Sequence, residues 1–207
     1  MKYLKLYEEL ISEIGDAGMK IRPWRRDGNA SDYRSAQEFK DLGAEDTGGE
    51  IDGESWYKFT TKQGTEYSVW IEYQWYSDGE GNGSGTIVQA SVDFTTVEGG
   101  NLDKSMAITN KGEVFEVMAT IVDIVVDWIN EWNELFPIEM FIIEPKLEED
   151  ERDMQLRPIY NASNTKRGRL YKIYIKKQLK RLNKKYELST KRKDKFIIYP
   201  KGRFTVL

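Results

Sequence analysis

The side chains available for chemistry in this 207-residue chain form a short list, because it contains neither histidine nor cysteine. Thiolate nucleophiles, disulfides, zinc sites with Cys or His ligands and every histidine-dependent triad are therefore excluded. Catalysis would have to use Asp, Glu, Tyr, Ser, Thr or Lys, or a metal ion held by oxygen. The acidic run "EEDERD" at 148–153 supplies oxygens but lacks the fixed spacing of a calcium loop, so we expect a solvated charge run and no metal site.

The most concentrated charge lies in "NTKRGRLYKIYIKKQLKRLNKK", residues 164–185, which holds ten Lys and Arg in 22 residues. Lys166, Arg167 and Arg169 lie near the start of the predicted helix, where its dipole disfavours cations. An anion should therefore offset them. The sequence leaves three sources for this anion open: the acidic part of the same chain, a cofactor phosphate and a nucleic-acid backbone.

The charge is divided unevenly along the chain. Residues 1–163 carry a net charge of −18 and residues 164–207 a net charge of +14, which gives −4 for the whole. This asymmetry indicates either a nucleic-acid surface on 164–185 or pairing between the two parts of one domain, and we favour the pairing. The acidic first part would also repel phosphate outside the basic segment.

Composition predicts a folded cytoplasmic protein with no membrane segment. The 39% hydrophobic and 13% aromatic content excludes a disordered chain, and no apolar run reaches the ~18 residues that a membrane span requires. The first 15 residues carry acidic side chains where a signal peptide has an unbroken apolar segment. No linker divides the sequence, so we predict one domain over 1–207.

Hydrophobic periodicity predicts helices over 2–14 and 31–42, an acidic loop at 43–54, and then three antiparallel strands. The strands are "SWYKFTTK", "EYSVWIEYQWY" and "TIVQASVDFTT". In the second strand, we expect Tyr67, Val69, Ile71 and Tyr73 on one face, with Trp70 and Trp75 on the other.

The strongest predicted helix follows, with Asn110 and Glu113 forming a capping-box pattern at its start and Pro137 ending it. Its apolar stripe is predicted to cover a sheet, while acidic residues, including Asp123, lie off that stripe. "IEMFII" is then a short strand, residues 164–185 a basic helix, and "YELS" with "KFIIYP" a hairpin. The sequence thus predicts an α+β fold whose mixed, mostly antiparallel sheet of about six strands is flanked by helices.

This succession of elements resembles the GCN5-related N-acetyltransferase (GNAT) fold, in which a long helix follows the strand that opens beside acyl-CoA. The resemblance covers most of the chain as architecture. "MKIRPW" at 19–24 stands where the family has a short first strand. The resemblance to this fold implies a GNAT-like domain that either binds acetyl-CoA or has no cofactor.

The turn into the long helix departs from the family pattern. Family members carry Gln or Arg, two residues, Gly, one residue, then Gly or Ala, and the backbone amides of this turn bind the cofactor pyrophosphate. Here "TNKGEV" has Thr109, Gly112 and Val114 at those positions, so Gly112 alone agrees. Gly112 and Asn110 are the candidate cofactor contacts in this turn. Val114 introduces a side chain where backbone must approach, and Glu113 adds a like charge.

The start of the basic helix agrees better with the family. Its members often carry Asn, two residues, Ala, two residues, then Leu-Tyr, and Asn164, Arg167, Leu170 and Tyr171 stand at those spacings. The resemblance implies that Asn164 contacts the CoA arm and that Tyr171 protonates the leaving thiolate, which suits a hydroxyl of high pKa. The alternative is that Asn164 caps the helix while Tyr171 packs on the sheet.

An acetyltransferase without histidine can use a carboxylate to accept the amine proton. On the central strands, Glu72 is the candidate base, with Asp93 as a second position. Both residues are equally typical of strand positions that face solvent. The resemblance therefore supplies candidate catalytic residues, Tyr171 and Glu72, without excluding a structural role for either.

The long helix "GEVFEVMATIVDIVVDWI" and the later Arg and Leu-Tyr pattern also resemble small uncharacterised proteins of tailed bacteriophages. We therefore expect a phage-type GNAT-like protein, in the host cytoplasm or virion, that binds a protein partner and has an impaired acyl-CoA site. An active N-acetyltransferase is the alternative. A nucleic-acid-binding protein that uses residues 164–185 is a second alternative, and fold alone does not decide among them.

Overall fold

The structure is a computed structural model, which describes residues 21–27, 50–77, 85–97, 113–143, 166–182, 186–192 and 195–202. The helices predicted over 2–14 and 31–42 lie outside these ranges. The described elements, in chain order, are β1 (Trp24–Arg26), β2 (Glu50–Thr60), β3 (Glu66–Ser77), β4 (Gly85–Thr96), α1 (Val114–Leu135), β5 (Phe141–Ile143), α2 (Lys166–Gln178), a 3₁₀ turn (Leu179–Arg181), β6 (Tyr186–Ser189) and β7 (Phe196–Pro200).

These strands form one seven-stranded mixed sheet in the order β1-β2-β3-β4-β5-β7-β6. All neighbours are antiparallel except β4 and β5, which are parallel. The α+β class, the antiparallel meander of β2, β3 and β4 and the final hairpin are confirmed. The strand beyond the predicted six is β1, which begins at Trp24, where the predicted first strand ends. It pairs with β2, and the Trp24 ring packs edge-on against Tyr57 at 5.5 Å.

Strand β2 begins inside the segment predicted as an acidic loop. The loop prediction is wrong for residues 50–54, which pair with β3, and the side chains of Asp52 and Glu54 point away from the core. Gly53 lies directly opposite Tyr73, and a Cβ atom at Gly53 would collide with the Tyr73 ring. A glycine-rich acidic segment can therefore form a strand here because the glycine leaves room for the aromatic ring.

The core face of β3 also differs from prediction at one residue. Trp75 was expected opposite Tyr73 but is only 1% exposed and lies on the same face. The prediction is wrong because Tyr73 and Trp75 are two residues apart, and the alternation of side chains along a strand puts both on the same face. The bulge in this strand pair lies in β4, where Gln74 pairs with Gln89 and Trp75 with Ile87, which leaves Val88 as the extra residue. Trp75 packs edge-on against Phe136.

Helix α1 is buried on nearly all sides because the sheet covers one side and α2 contacts another. Its apolar residues form the centre of the core, and Trp128 and Trp132 stack at 5.3 Å. The predicted stripe is confirmed, but Asp123, which was placed off it, is only 9% exposed. The helix ends before Pro137, as predicted.

Helix α2 packs beside α1 through the inner face that the sequence predicts. Tyr171, Tyr174 and Ile175 are buried there, and Leu182 is buried just after the 3₁₀ turn. Burial raises the pKa of the Tyr174 phenol to about 12, so this tyrosine stays neutral at physiological pH. The aromatic residues of the basic segment are therefore core residues.

Candidate functional site

Strands β4 and β5 pair over a short stretch. Their registered pairs are Ala90 with Phe141 and Ser91 with Ile142, preceded by one isolated bridge between Ile87 and Ile138. Beyond Ser91, β4 continues to Thr96, and within the described strands its registered pairs there are to β3 alone. We call this edge of β4, from Val92 to Thr96, the opening. The resemblance predicts acyl-CoA beside such a strand.

Glu113 lies at the amino end of α1, at the same end of the sheet as the opening. It is 3% exposed, and its carboxylate accepts hydrogen bonds from the hydroxyls of Thr61 at 2.6 Å and Thr65 at 3.1 Å. The predicted capping box is wrong, because α1 begins at Val114 and places Glu113 at the N-cap position, where its side chain does not cap the helix. A buried carboxylate instead lies at the positive end of the helix.

A second carboxylate belongs to the first turn of α1. Glu116 accepts a hydrogen bond from the backbone N–H of Lys62 at 2.6 Å and forms an ion pair with Arg22 at 3.3 Å. The helix end that would attract a diphosphate therefore already carries two carboxylates, and the charge of Glu116 is offset by Arg22. A further anion there is opposed by the charge of Glu113.

Tyr171, the candidate acid, lies close to the opening but in the core. It is 4% exposed, and its ring stacks on Phe196 at 6.4 Å. Phe196 pairs with Ile143, the last residue of β5, on the sheet face that α1 covers. Asn164, Gly112 and Asn110, the candidate cofactor contacts, lie outside the described residues together with Thr109.

Glu72, the candidate base, lies on the other face of the sheet. Side chains alternate along β3, so Glu72 points away from α1, whereas its neighbours Ile71 and Tyr73 are buried beneath it. The structure thus places the two candidate catalytic residues, Tyr171 and Glu72, on opposite faces. They do not form one catalytic pair.

The face of β2, β3 and β4 that points away from α1 carries acidic and aromatic residues, and we call it the outer face. Glu54 and Glu72 lie directly opposite each other across β2 and β3. The next pair is Trp56 and Trp70, whose rings stack at 5.2 Å with an interplanar angle of 24°. The indole N–H of Trp56 donates to Glu54 at 2.8 Å, and that of Trp70 donates to Glu72 at 3.2 Å.

A cleft of about 370 Å³ lies on the outer face beside these residues. Three carboxylates, two amides and one hydroxyl supply its polar side chains; they belong to Asp52, Glu54, Glu72, Gln74, Gln89 and Ser91. Asp93 follows in the next row, opposite Trp70. Sequence reasoning identified Glu72 and Asp93 but missed Asp52, Glu54 and the tryptophan pair. The alternation of each strand was a usable signal, but the register between strands was needed to bring them together.

An acidic residue of α1 pairs with part of the basic segment 164–185. Asp123 accepts a hydrogen bond from the indole N–H of Trp24 at 2.9 Å and pairs with Arg181, which also donates to the buried Gln178 at 2.9 Å. One turn on, burial raises the pKa of the Asp127 carboxyl, an effect opposed by nearby arginines. The basic segment therefore pairs with the acidic part of the chain at Arg181.

Lys166, Arg167 and Arg169 lie in the first turns of α2 as predicted, where the first turn has no acidic residue. Of their side chains, the structure describes that of Arg169, which is half-buried. Lys176 and Lys177 are exposed in the last turn, where the helix dipole favours cations. The prediction that the first three bind an anion or nucleic acid stays a prediction.

Within the described ranges, no group of three or more acidic residues is arranged to hold a metal ion, and no helix is long and apolar enough to cross a membrane. The geometry therefore offers two places for function, the opening and the outer face. Comparison with protein families, curated proteins and solved structures found no match to the chain.

Proposed function

We propose that this chain is a phage-type GNAT-like protein that acts by binding a protein partner, in the virion or in contact with the host, and that its acyl-CoA site is impaired. The observation that carries the proposal is the buried Glu113 carboxylate at the amino end of α1. In the family that the sequence resembles, the turn before this helix holds a diphosphate. Here a fixed negative charge lies beside that turn.

Burial of the Glu113 carboxylate increases the effect of its charge. Glu113 is held by two threonine hydroxyls of the β2–β3 turn and is screened little by solvent, so its charge acts at longer range than that of a surface carboxylate. Glu116 lies one turn away, where its charge is offset by the ion pair with Arg22. Glu113 opposes the helix dipole that would otherwise favour an anion.

An active N-acetyltransferase is the second candidate, and the opening favours it. Strand β4 leaves β5 after Ser91, and Ser91 pairs with Glu72 on the other side, so a carboxylate lies one strand away from the opening. In this alternative, Glu72 accepts the amine proton and Tyr171 protonates the thiolate of CoA. Their positions on opposite faces count against a shared role.

Thermal unfolding with and without acetyl-CoA separates the two candidates. A ligand that binds only the folded state raises the melting temperature by mass action. We expect no rise for the native chain at millimolar acetyl-CoA, while Glu113→Gln, which keeps an acceptor for Thr61 but removes the charge, gains a rise. A saturable rise in the native chain that Gly112→Trp abolishes would overturn the proposal and favour the enzyme.

A further inference from the structure

We infer that the outer face binds an extended segment of a partner protein that carries lysine or arginine at every second position. This inference rests on the proposed binding function and names the chemistry of the partner. The residues that carry it are Glu54, Glu72, Asp52, Trp56 and Trp70. Their charge, stacking and spacing each point to a cationic peptide.

Glu54 and Glu72 carry like charges at directly opposed positions of β2 and β3. Like charges directly opposite each other across antiparallel strands destabilise a sheet. Asp52 adds a third carboxylate in the next row. None of the ion pairs formed within the described part of the chain involves these three residues. An ammonium or guanidinium group bound between Glu54 and Glu72 would relieve their repulsion.

The tryptophans add a reason to expect an organic cation. Trp56 and Trp70 stack on each other and are both half-buried, so each ring keeps part of its surface in contact with solvent. Aromatic faces attract lysine and arginine side chains, and the alkyl stems of those residues pack on indole. Since each indole N–H also holds a carboxylate, the acidic and aromatic groups are fixed relative to each other before a partner arrives.

The spacing of side chains on the outer face matches that of an extended peptide. Rows of side chains on one sheet face repeat every two residues, about 6.6–6.8 Å, and an extended peptide repeats its own side chains with the same period. Alternate cations of a peptide running along β2 and β3 therefore reach the successive rows of Asp52, Glu54 and the tryptophans. Gln74 and Gln89, which pair with each other, place side-chain amides beside this path for the peptide backbone.

Two synthetic peptides of identical composition test the inference. One alternates lysine with serine, and the other places all its lysines in one block; each carries a fluorophore for anisotropy measurements with the full chain. We expect the alternating peptide to bind about tenfold more tightly, and Glu54→Gln with Glu72→Gln to weaken it about tenfold, as two lost surface ion pairs imply. Glu134→Gln, which changes an exposed acidic residue of α1 on the other side of the sheet, should leave binding unchanged.

Equal binding of the two peptides, or binding that the double substitution does not weaken, would overturn the inference. Melting temperatures of all three forms check that each is folded. A parallel experiment adds acetyl-CoA and measures the mass of the peptide, which increases if a lysine is acetylated. Acetylation of a peptide lysine would overturn the proposed binding-only function while leaving the cationic-peptide surface intact. Absence of peptide binding without acetylation would overturn this inference alone.

Discussion

Glu54 and Glu72 form a contact that is unfavourable for the stability of the sheet. Two carboxylates placed opposite each other on antiparallel strands repel, and indole N–H donors reduce this repulsion only in part. Proteins commonly retain such local costs at functional sites. The binding of a cationic peptide that we propose accounts for this pair, whereas stability does not.

Removing one charge of this pair should stabilise the free protein. We expect Glu72→Gln to raise the free energy of unfolding by about 0.2–1 kcal/mol, because the amide oxygen still accepts from Trp70 while the repulsion with Glu54 is lost. Urea denaturation at pH 7 measures the change. Glu139→Gln serves as the matched control and should have no effect. A loss of stability in Glu72→Gln would show that the carboxylate has a stabilising partner.

Single residues were the hardest features to predict from the sequence. Glu72 and Tyr171 could be selected as chemically able, but placing them on opposite faces required the positions of β3, α2 and β7 in one sheet. Glu54 and the tryptophan pair could not be selected, because nothing within β2 alone shows which residues of β3 they meet. Register is a long-range property, and it creates this site.

At the level of elements, Asp123 connects three parts of the fold. It lies in α1, accepts from Trp24 of β1 and pairs with Arg181 of the turn after α2. The Asp123 carboxylate is largely buried, whereas the Arg181 side chain is about half exposed, at 48%. Loss of Arg181 therefore leaves a largely buried carboxylate without its cation, which costs more than the loss of an exposed ion pair.

Substitutions at both ends of this contact should destabilise the fold. We expect Asp123→Leu to lower the free energy of unfolding by about 1–3 kcal/mol, because the indole N–H of Trp24 loses its acceptor. Arg181→Met should cost a similar amount, because the largely buried Asp123 carboxylate loses its cation. Chemical denaturation of both variants at pH 7 compares them directly. An unchanged free energy of unfolding in Arg181→Met would show that the ion pair does not contribute to stability.

Elements with strong periodicity were predicted well. The meander, α1 and the final hairpin each contain enough alternating or helical pattern to be recognised locally. β1 was not, because three residues give no pattern and their pairing depends on β2. The predicted cap failed for a related reason, since the hydroxyls that hold Glu113 belong to residues about 50 positions earlier in the chain.

For the molecule as a whole, the division into acidic and basic parts is partly resolved within the chain. Arg181 pairs with the acidic face of α1, while Lys176, Lys177 and Lys180 remain exposed on the basic segment. The outer face is acidic and lies on the sheet face opposite the one that α1 and α2 cover. Attraction of an extended polyanion to the exposed lysines therefore competes with repulsion by the rest of a net negative molecule.

This balance predicts little affinity for nucleic acid. We expect no measurable binding of a DNA duplex at about 0.15 M salt, because the net negative charge of the molecule and its acidic outer face repel the phosphate backbone. Fluorescence anisotropy across a series of salt concentrations is the measurement, with Lys176→Glu as a comparison variant. Binding that weakens steeply with salt, and further in that variant, would contradict the prediction and support the nucleic-acid alternative.

Trp128 of α1 contacts strands on both sides of the junction between β4 and β5. Its ring contacts Tyr73 of β3 and Phe141 of β5, both at 5.7 Å, and its indole N–H donates to Ser55 of β2 at 3.1 Å. Strands β4 and β5 are joined by two registered pairs, and the N–H groups of Ile87 and Ala90 also donate to the segment that leads into β5. Beside these backbone contacts, one side chain of α1 connects strands on both sides of this junction through the core.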